Sequence, residues 1–293
     1  MNINSHVQLP NCVLRNFRDE TDPEKKVWYL DVQTGDILRK FSKKLGTCKG
    51  YYSETGERFW AENIENPLSI ITRKIQKNCT GEIPCLQISA DDADACKRYI
   101  KAAFIRSKMA EDEMNKHSVA ASICTEQSNH DMLACFGLRS YGPIESDLEK
   151  MDVSVLVNKT ERMLVVPRNC FYLVTLQGAS HMVAPVCPKG AILLMPREMA
   201  CAGMTAVVSE PNVIEEMNIW ALKTPLQSEL LGVGHSGVFL ISHVFSMLSR
   251  LAWCKVSWTR KSKTHKIRPQ NVKSTETELC SPAHFSSVCL AFS

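Results

Sequence analysis

The chain has 293 residues, with 35 lysines and arginines against 31 acidic residues, giving a formal net charge of +4. That surplus is too small to argue for nucleic acid by charge alone. A hydrophobic content of 44% with 23% charged residues excludes a chain too polar to bury a core and places it with ordinary globular proteins.

The first predicted element is a β-hairpin. Val27 to Gln33 is rich in β-branched and aromatic residues, Thr34-Gly35-Asp36 turns, and Ile37 to Phe41 returns. Glu54-Thr55-Gly56-Glu57 reads as another turn. From Phe59 the apolar residues Trp60, Ile64, Leu68, Ile71 and Ile75 recur at helical spacing, and Pro67 within them predicts a kink or two helices meeting there. Asn78 to Pro84 closes that segment.

Ser89 is a good N-cap for a helix from Ala90 to about Lys116, with Asp91, Asp92 and Asp94 favourably placed in its first turn. Ser118 to Asp147 shows weak helical periodicity to Phe136 and then a loop through Tyr141-Gly142-Pro143. After Lys150 the pattern becomes strand-like. Asp152 to Val157 alternates, Asn158 to Glu161 turns, and Arg162 to Val166 returns. Cys170 to Thr175, Ala191 to Met195 and Thr205 to Val208 are further strands. Ser209 caps a helix from Pro211 to Leu222, with proline at the favoured first position. The predicted class is α+β: an N-terminal hairpin and helices, then a strand-rich, mainly antiparallel second half.

Thirteen cysteines are scattered without a C-x-x-C, and no His-x-x-x-His accompanies them, so a tetrahedral zinc site has no support. Met1 to Pro10 lacks the charged and apolar regions of a secretory signal, which predicts reduced thiols and an intracellular, cytoplasmic protein. A Cys79–Cys85 disulfide is the alternative. No metal site and no cofactor is predicted. Gly232-x-Gly234-x-x-Gly237 spells a dinucleotide fingerprint, but no convincing strand precedes it and no acidic residue follows at the right distance.

Five short stretches share an order and spacing: His6-Val7-Gln8-Leu9-Pro10, Leu14-Arg15-Asn16-Phe17, Val27-Trp28-Tyr29-Leu30, Tyr51-Tyr52-Ser53 and Glu62-Asn63-Ile64-Glu65. In these the chain resembles the domain of unknown function 4238 family. Tyr99 to Arg106 is similar to that family's mid-chain helix carrying an arginine, and Asn212 to Ala221, with Asn218, to its closing helix. Ala184 to Lys189 resembles its proline-containing apolar element. The Thr175-Leu176-Gln177-Gly178 turn lacks the aspartate and proline that the resemblance implies. The resemblance covers residues 6–223 as a single α+β domain.

Residues 224–293 bear no such likeness and are expected to be an apolar, then basic, poorly ordered tail. Its apolar run, Val238 to Cys254, is shorter than the roughly 20 residues of a membrane span and carries Arg250, so no transmembrane span is expected. Arg260, Lys261, Lys263, Lys266 and Arg268 follow with no acidic residue among them, a pattern that fits weak, salt-sensitive polyanion binding.

Six residues are candidates for function. His6 could serve as a base near neutral pH, with Arg15 clamping a phosphate or carboxylate. Glu62 and Glu65, three apart on a predicted helix, would share a face and, with Glu57, could hold a divalent cation; equally, they could only oppose the helix dipole. Tyr52, beside Tyr51 and Lys49, and Arg106 are candidate ligand contacts, although a solvated Arg106 near Glu111 is the plainer expectation. The sequence therefore supports a non-catalytic or degenerate binding module. The alternative is an enzyme acting on a phosphate-bearing or nucleic-acid substrate through His6 and Arg15.

Overall fold

The computed structural model describes residues 4–6, 9–31, 36–81, 86–106, 131, 142–176, 179–199, 205–223, 229–231 and 291–292. Strand β1 (Asn4–His6) leads into a one-turn helix α1 (Asn11–Leu14). The expected hairpin follows as β2 (Val27–Asp31) and β3 (Ile37–Lys40), antiparallel with Trp28 opposite Arg39. Strand β4 (Thr47–Lys49) turns back to pair with β1.

The next helical run is continuous but not uniform. Helix α2 (Glu54–Trp60) passes into a π-helical stretch, Ala61–Glu65, and then into α3 (Asn66–Thr80). Glu54 to Glu57 is thus helix rather than turn, because the Ser53 hydroxyl accepts the Gly56 N–H at 3.1 Å and starts the helix there. The irregularity expected at Pro67 is this π stretch just before it, with proline, which has no N–H to offer the preceding turn, in the first turn of α3. Trp60, Ile64, Leu68, Ile71 and Ile75 are all buried, as their spacing implied.

Helix α4 (Ala90–Ile105) is capped by Ser89, whose hydroxyl accepts the Asp92 N–H. It ends at Arg106, earlier than Lys116; residues 107–116, like most of the weakly periodic segment after them, lie outside the described residues. Helix α5 (Gly142–Glu149) replaces the loop expected through Gly142-Pro143. It is held by buried Leu148 and by Glu145 Oε1, 3.1 Å from the buried Lys101 ammonium of α4.

Strands β5 (Met151–Asn158), β6 (Val166–Pro167), β7 (Tyr172–Leu176), β8 (Ala179–Cys187), β9 (Gly190–Pro196) and β10 (Thr205–Val208) precede helix α6 (Pro211–Lys223). Two short strands, β11 (Glu229–Leu231) and β12 (Ala291–Phe292), belong to the segment expected to be a tail. They join two sheets. The larger runs β12-β10-β5-β9-β8-β7 and is antiparallel except for β10 beside β5; the smaller runs β3-β2-β11-β6. The fold is therefore α+β with a mainly antiparallel second half.

Two-residue alternation divides the large sheet between two cores. Val153, Val155, Val157, Ala184, Val186, Ile192 and Leu194 face the α3 and α4 side. Leu156, Tyr172, Val174, Val183, Leu193 and Ala206 face α6. The sheet is thus sandwiched between helices.

The expected return strand from Arg162 to Val166 does not pair with β5, whose two edges are already taken by β9 and β10. Side chains hold that segment instead. Asn158 donates to the Arg162 carbonyl at 2.7 Å, and Lys189 donates to the carbonyls of Thr160 and Arg162. Fully buried Asn218 of α6 accepts the Val165 N–H at 2.9 Å and donates to the Met163 carbonyl at 2.8 Å.

Candidate functional site

The polar residues of the first half converge at one place, where the π stretch meets the end of α4. Gly50, with φ of 69°, turns the chain out of β4 and delivers Tyr52 into the core. The Tyr52 ring lies 5.8 Å from that of Trp60, and Tyr51 packs edge-on against Tyr52 at 4.8 Å. Tyr52 is buried and Tyr51 half-buried, on a bend rather than an extended strand.

The π stretch sets which acidic residue enters the core. Its wider turn buries Ile64, leaves Glu62 exposed and encloses Glu65. Glu62 and Glu65 therefore do not share a face, and the cation site suggested for Glu57, Glu62 and Glu65 is not assembled. Among the described residues, no group of three histidines, cysteines or acids is placed to hold a metal ion.

Arg106 is the centre of the cluster. Its N–H closes the last turn of α4 on the Ala102 carbonyl at 3.0 Å, and its side chain runs inward. The guanidinium lies 4.6 Å from the Trp60 ring centroid and 5.4 Å from that of Tyr52, within cation–π range of both. Only 9% of the residue is exposed, so it is not the solvated arginine expected. Burial opposes its charge, but Tyr52, Glu65 and Cys170 outweigh that and keep it firmly protonated.

The surrounding groups are tuned away from reactivity. Burial raises the Glu65 carboxyl above its usual range, Arg106 pulls it back down, and Glu57 pushes it up. The Tyr52 hydroxyl is likewise raised by burial and lowered by Arg106. Cys12 on α1 is pushed up to about 12 by burial and by Glu65, with Arg15 acting in the opposite sense. Cys170 is also pushed up to about 12 by burial, against the pull of its hydrogen bond with Tyr99 and of Arg106. Both thiols are therefore neutral near pH 7 and neither is a ready nucleophile. Cys170 has φ of 70°, a left-handed conformation costing about 1–3 kcal/mol in a non-glycine residue.

Of the sequence candidates, Tyr52, Glu65 and Arg106 are brought together and Glu62 is not. Arg15 is exposed at the edge of the cluster, donating to the Ser69 hydroxyl at 2.8 Å. The backbone of His6 pairs with Thr47, while its side chain lies outside the described residues. So do Arg260, Lys261, Lys263, Lys266 and Arg268. Trp60, Tyr99 and Cys170 were missed as site residues. Trp60 was legible only as a core position, and nothing in the sequence marks a left-handed Cys170.

The described cysteines are free thiols. Cys79 hydrogen-bonds with Cys187, and Cys85 lies outside the described residues. No described helix is long and apolar enough to cross a membrane. Of the turn expected over Thr175–Gly178, Thr175 and Leu176 are instead strand residues of β7, paired with Ser180 and Ala179 of β8, and Gln177 and Gly178 lie outside the described residues. Four strand steps from Tyr172 to Leu176, roughly 13 Å, separate Leu176 from the Cys170 end of the strand.

The arrangement is a buried, permanently charged arginine backed by two aromatic rings, hydrogen-bonded with Tyr52 and facing the field of the Glu65 carboxyl. No protein-family model, curated protein or solved structure matches this chain.

Proposed function

We propose that this chain is a non-catalytic binding module of the domain of unknown function 4238 family, and that it holds a carboxylate or phosphate group at Arg106. The observation that carries the reading is the guanidinium fixed over Trp60 and Tyr52. Arginine's planar fork suits such anions, and a pre-positioned side chain loses little entropy on binding them. The neutral thiols and phenols around it supply no activated nucleophile.

Equilibrium titration with inorganic phosphate, acetate and a nucleoside monophosphate, read by calorimetry, tests the reading. Binding should occur in the wild type and be lost in Arg106→Met that retains the native circular dichroism spectrum. No binding of any of the three, or binding untouched by Arg106→Met, would refute it.

A second reading is an enzyme acting on a phosphate-bearing or nucleic-acid substrate through His6 and Arg15. It is favoured by the convergence of the π stretch and left-handed Cys170 on one centre, since such irregularities gather at active sites. Turnover of phosphoester substrates that His6→Ala and Arg15→Ala abolish without unfolding the protein would establish it. Its absence in the wild type would remove it.

A further inference from the structure

A second surface, on the β2–β3 hairpin, combines exposed Phe41 and half-buried Trp28 with lysines and an arginine. Residues 37–50 carry Arg39, Lys40, Lys43, Lys44 and Lys49, all exposed, and no acidic residue occurs between Asp36 and Glu54. Each ring here is matched with a cation. Arg39 lies 4.9 Å from the Trp28 centroid, Lys40 lies 4.9 Å from that of Tyr29, and Lys26 and Lys44 lie 5.1 and 5.9 Å from that of Phe41.

The register puts these groups on particular faces. Trp28 is opposite Arg39, and Phe41 continues the extended chain two residues beyond Arg39 on the same face. Two strand steps place the Trp28–Arg39 pair and Phe41 about 6.8 Å apart along the strand. A stretched nucleic-acid strand covers such a distance with one nucleotide. Asp19 accepts the Trp28 indole N–H at 3.0 Å, and Asp22 pairs with Arg39, so the ring and its cation are held in place. Phe41 is 40% exposed and lies within 6 Å of two lysine ammonium groups.

We propose that this hairpin face binds single-stranded nucleic acid. A base stacks on Phe41, the next meets the Trp28–Arg39 stack, and Lys43 and Lys44 take the phosphates. Stacking platforms flanked by lysines bind single strands with little sequence preference. A lipid surface fits less well. Among the described residues of the hairpin the other exposed large apolar side chain, Leu38, falls on the opposite face of β3 by strand alternation, so the two do not make one insertion patch. The surface is separate from Arg106, and the proposal does not rest on the anion site there.

Fluorescence anisotropy with a labelled 12-nucleotide oligo-uridylate, the full-length protein and a salt series tests the proposal. Two phosphate contacts predict that log K falls with log salt at a slope of about −1.4. Phe41→Ala should weaken binding between about 5- and 150-fold, the range for loss of one stacked base. Lys43→Glu with Lys44→Glu should make the slope shallower by more than 1. The proposal is overturned if the wild type fails to bind at 50 mM salt or binds phosphatidylserine vesicles in preference. It is also overturned if folded hairpin variants bind as the wild type does, which would move the affinity to the basic segment at residues 260–268.

Discussion

Replacing Arg106 with methionine keeps a long apolar side chain between α4 and the π stretch but removes the charge. Two contributions vanish. The contacts with Trp60 at 4.6 Å and Tyr52 at 5.4 Å are each worth about 0.5–2 kcal/mol when desolvated. The Glu65 carboxyl also loses the cation that lowers its pKa in a site whose burial raises it. Removing one member of a buried charge pair costs about 3–5 kcal/mol, a figure that overlaps the first contribution rather than adding to it. Urea denaturation at pH 7, followed by far-ultraviolet circular dichroism, should therefore show a loss of about 3–5 kcal/mol. Adding Glu65→Gln to Arg106→Met should restore about 1–3 kcal/mol, because the uncompensated carboxylate is then gone. A loss below 1 kcal/mol in the single variant, or no recovery in the double, would refute an electrostatically coupled centre.

Three further outcomes test other parts of the fold. Asn218→Leu removes both side-chain bonds to the Met163–Val165 backbone and leaves a buried N–H and carbonyl without partners; a loss of about 2–5 kcal/mol in urea denaturation is expected. Asn218→Asp should be at least as damaging, since it sets an oxygen against the Met163 carbonyl. Gly190→Ala would place a Cβ 2.5 Å from Ile75 Cγ2 and 2.9 Å from Cys79 Sγ, so it should cost about 1–3 kcal/mol; an unchanged Tm would contradict this packing. Asp92 and Glu65 should act on acid stability with opposite signs. For Asp92, burial raises the pKa but is outweighed by hydrogen bonds from Lys74 and Ser89, which hold it below its usual 3.8. Its stabilisation is therefore present above 3.8 and lost as pH falls through the lower folded value, a limb that Asp92→Asn should flatten in pH-dependent denaturation. Glu65 has a raised pKa, so its favourable contribution is full below its usual 4.5 and lost as pH rises through the folded value; Glu65→Gln should remove that decline.

Much of the architecture was legible because local chemistry and tertiary packing agree. Ser89, the β2–β3 hairpin, and Pro211 at the start of α6 each behave as their own sequence dictates. The failures have different causes. Strand β8 was missed because Pro185 lies in its interior; the sheet accommodates it at a register shift between Pro185 and Cys187. The Arg162–Val166 segment has strand-like composition, but pairing depends on free edges, and β5 has none left. Tyr52 and Arg106 could be picked out as residue types without revealing that they touch. The π stretch separates Glu62 from Glu65 against simple helical counting, and the left-handed Cys170 follows from the loop it closes rather than from its own preference.

The turn after β5 has a consequence for how the molecule opens. Lys159 reaches the end of α3, donating to the Gly81 carbonyl at 2.6 Å and the Cys79 carbonyl at 3.3 Å, where the helix dipole favours a cation. Lys189, on the β8–β9 turn, donates to the Thr160 and Arg162 carbonyls, and Cys79 Sγ donates to the Lys189 carbonyl at 3.1 Å. Helix end and both turns are thus riveted to one another through side chains. Fraying of α3 at its C-terminus must break the same bonds that secure two sheet turns. In hydrogen exchange, the amides of Asn158 and Leu164, bonded to the Lys189 and Pro188 carbonyls, would open with the final turn of α3 as one cooperative unit.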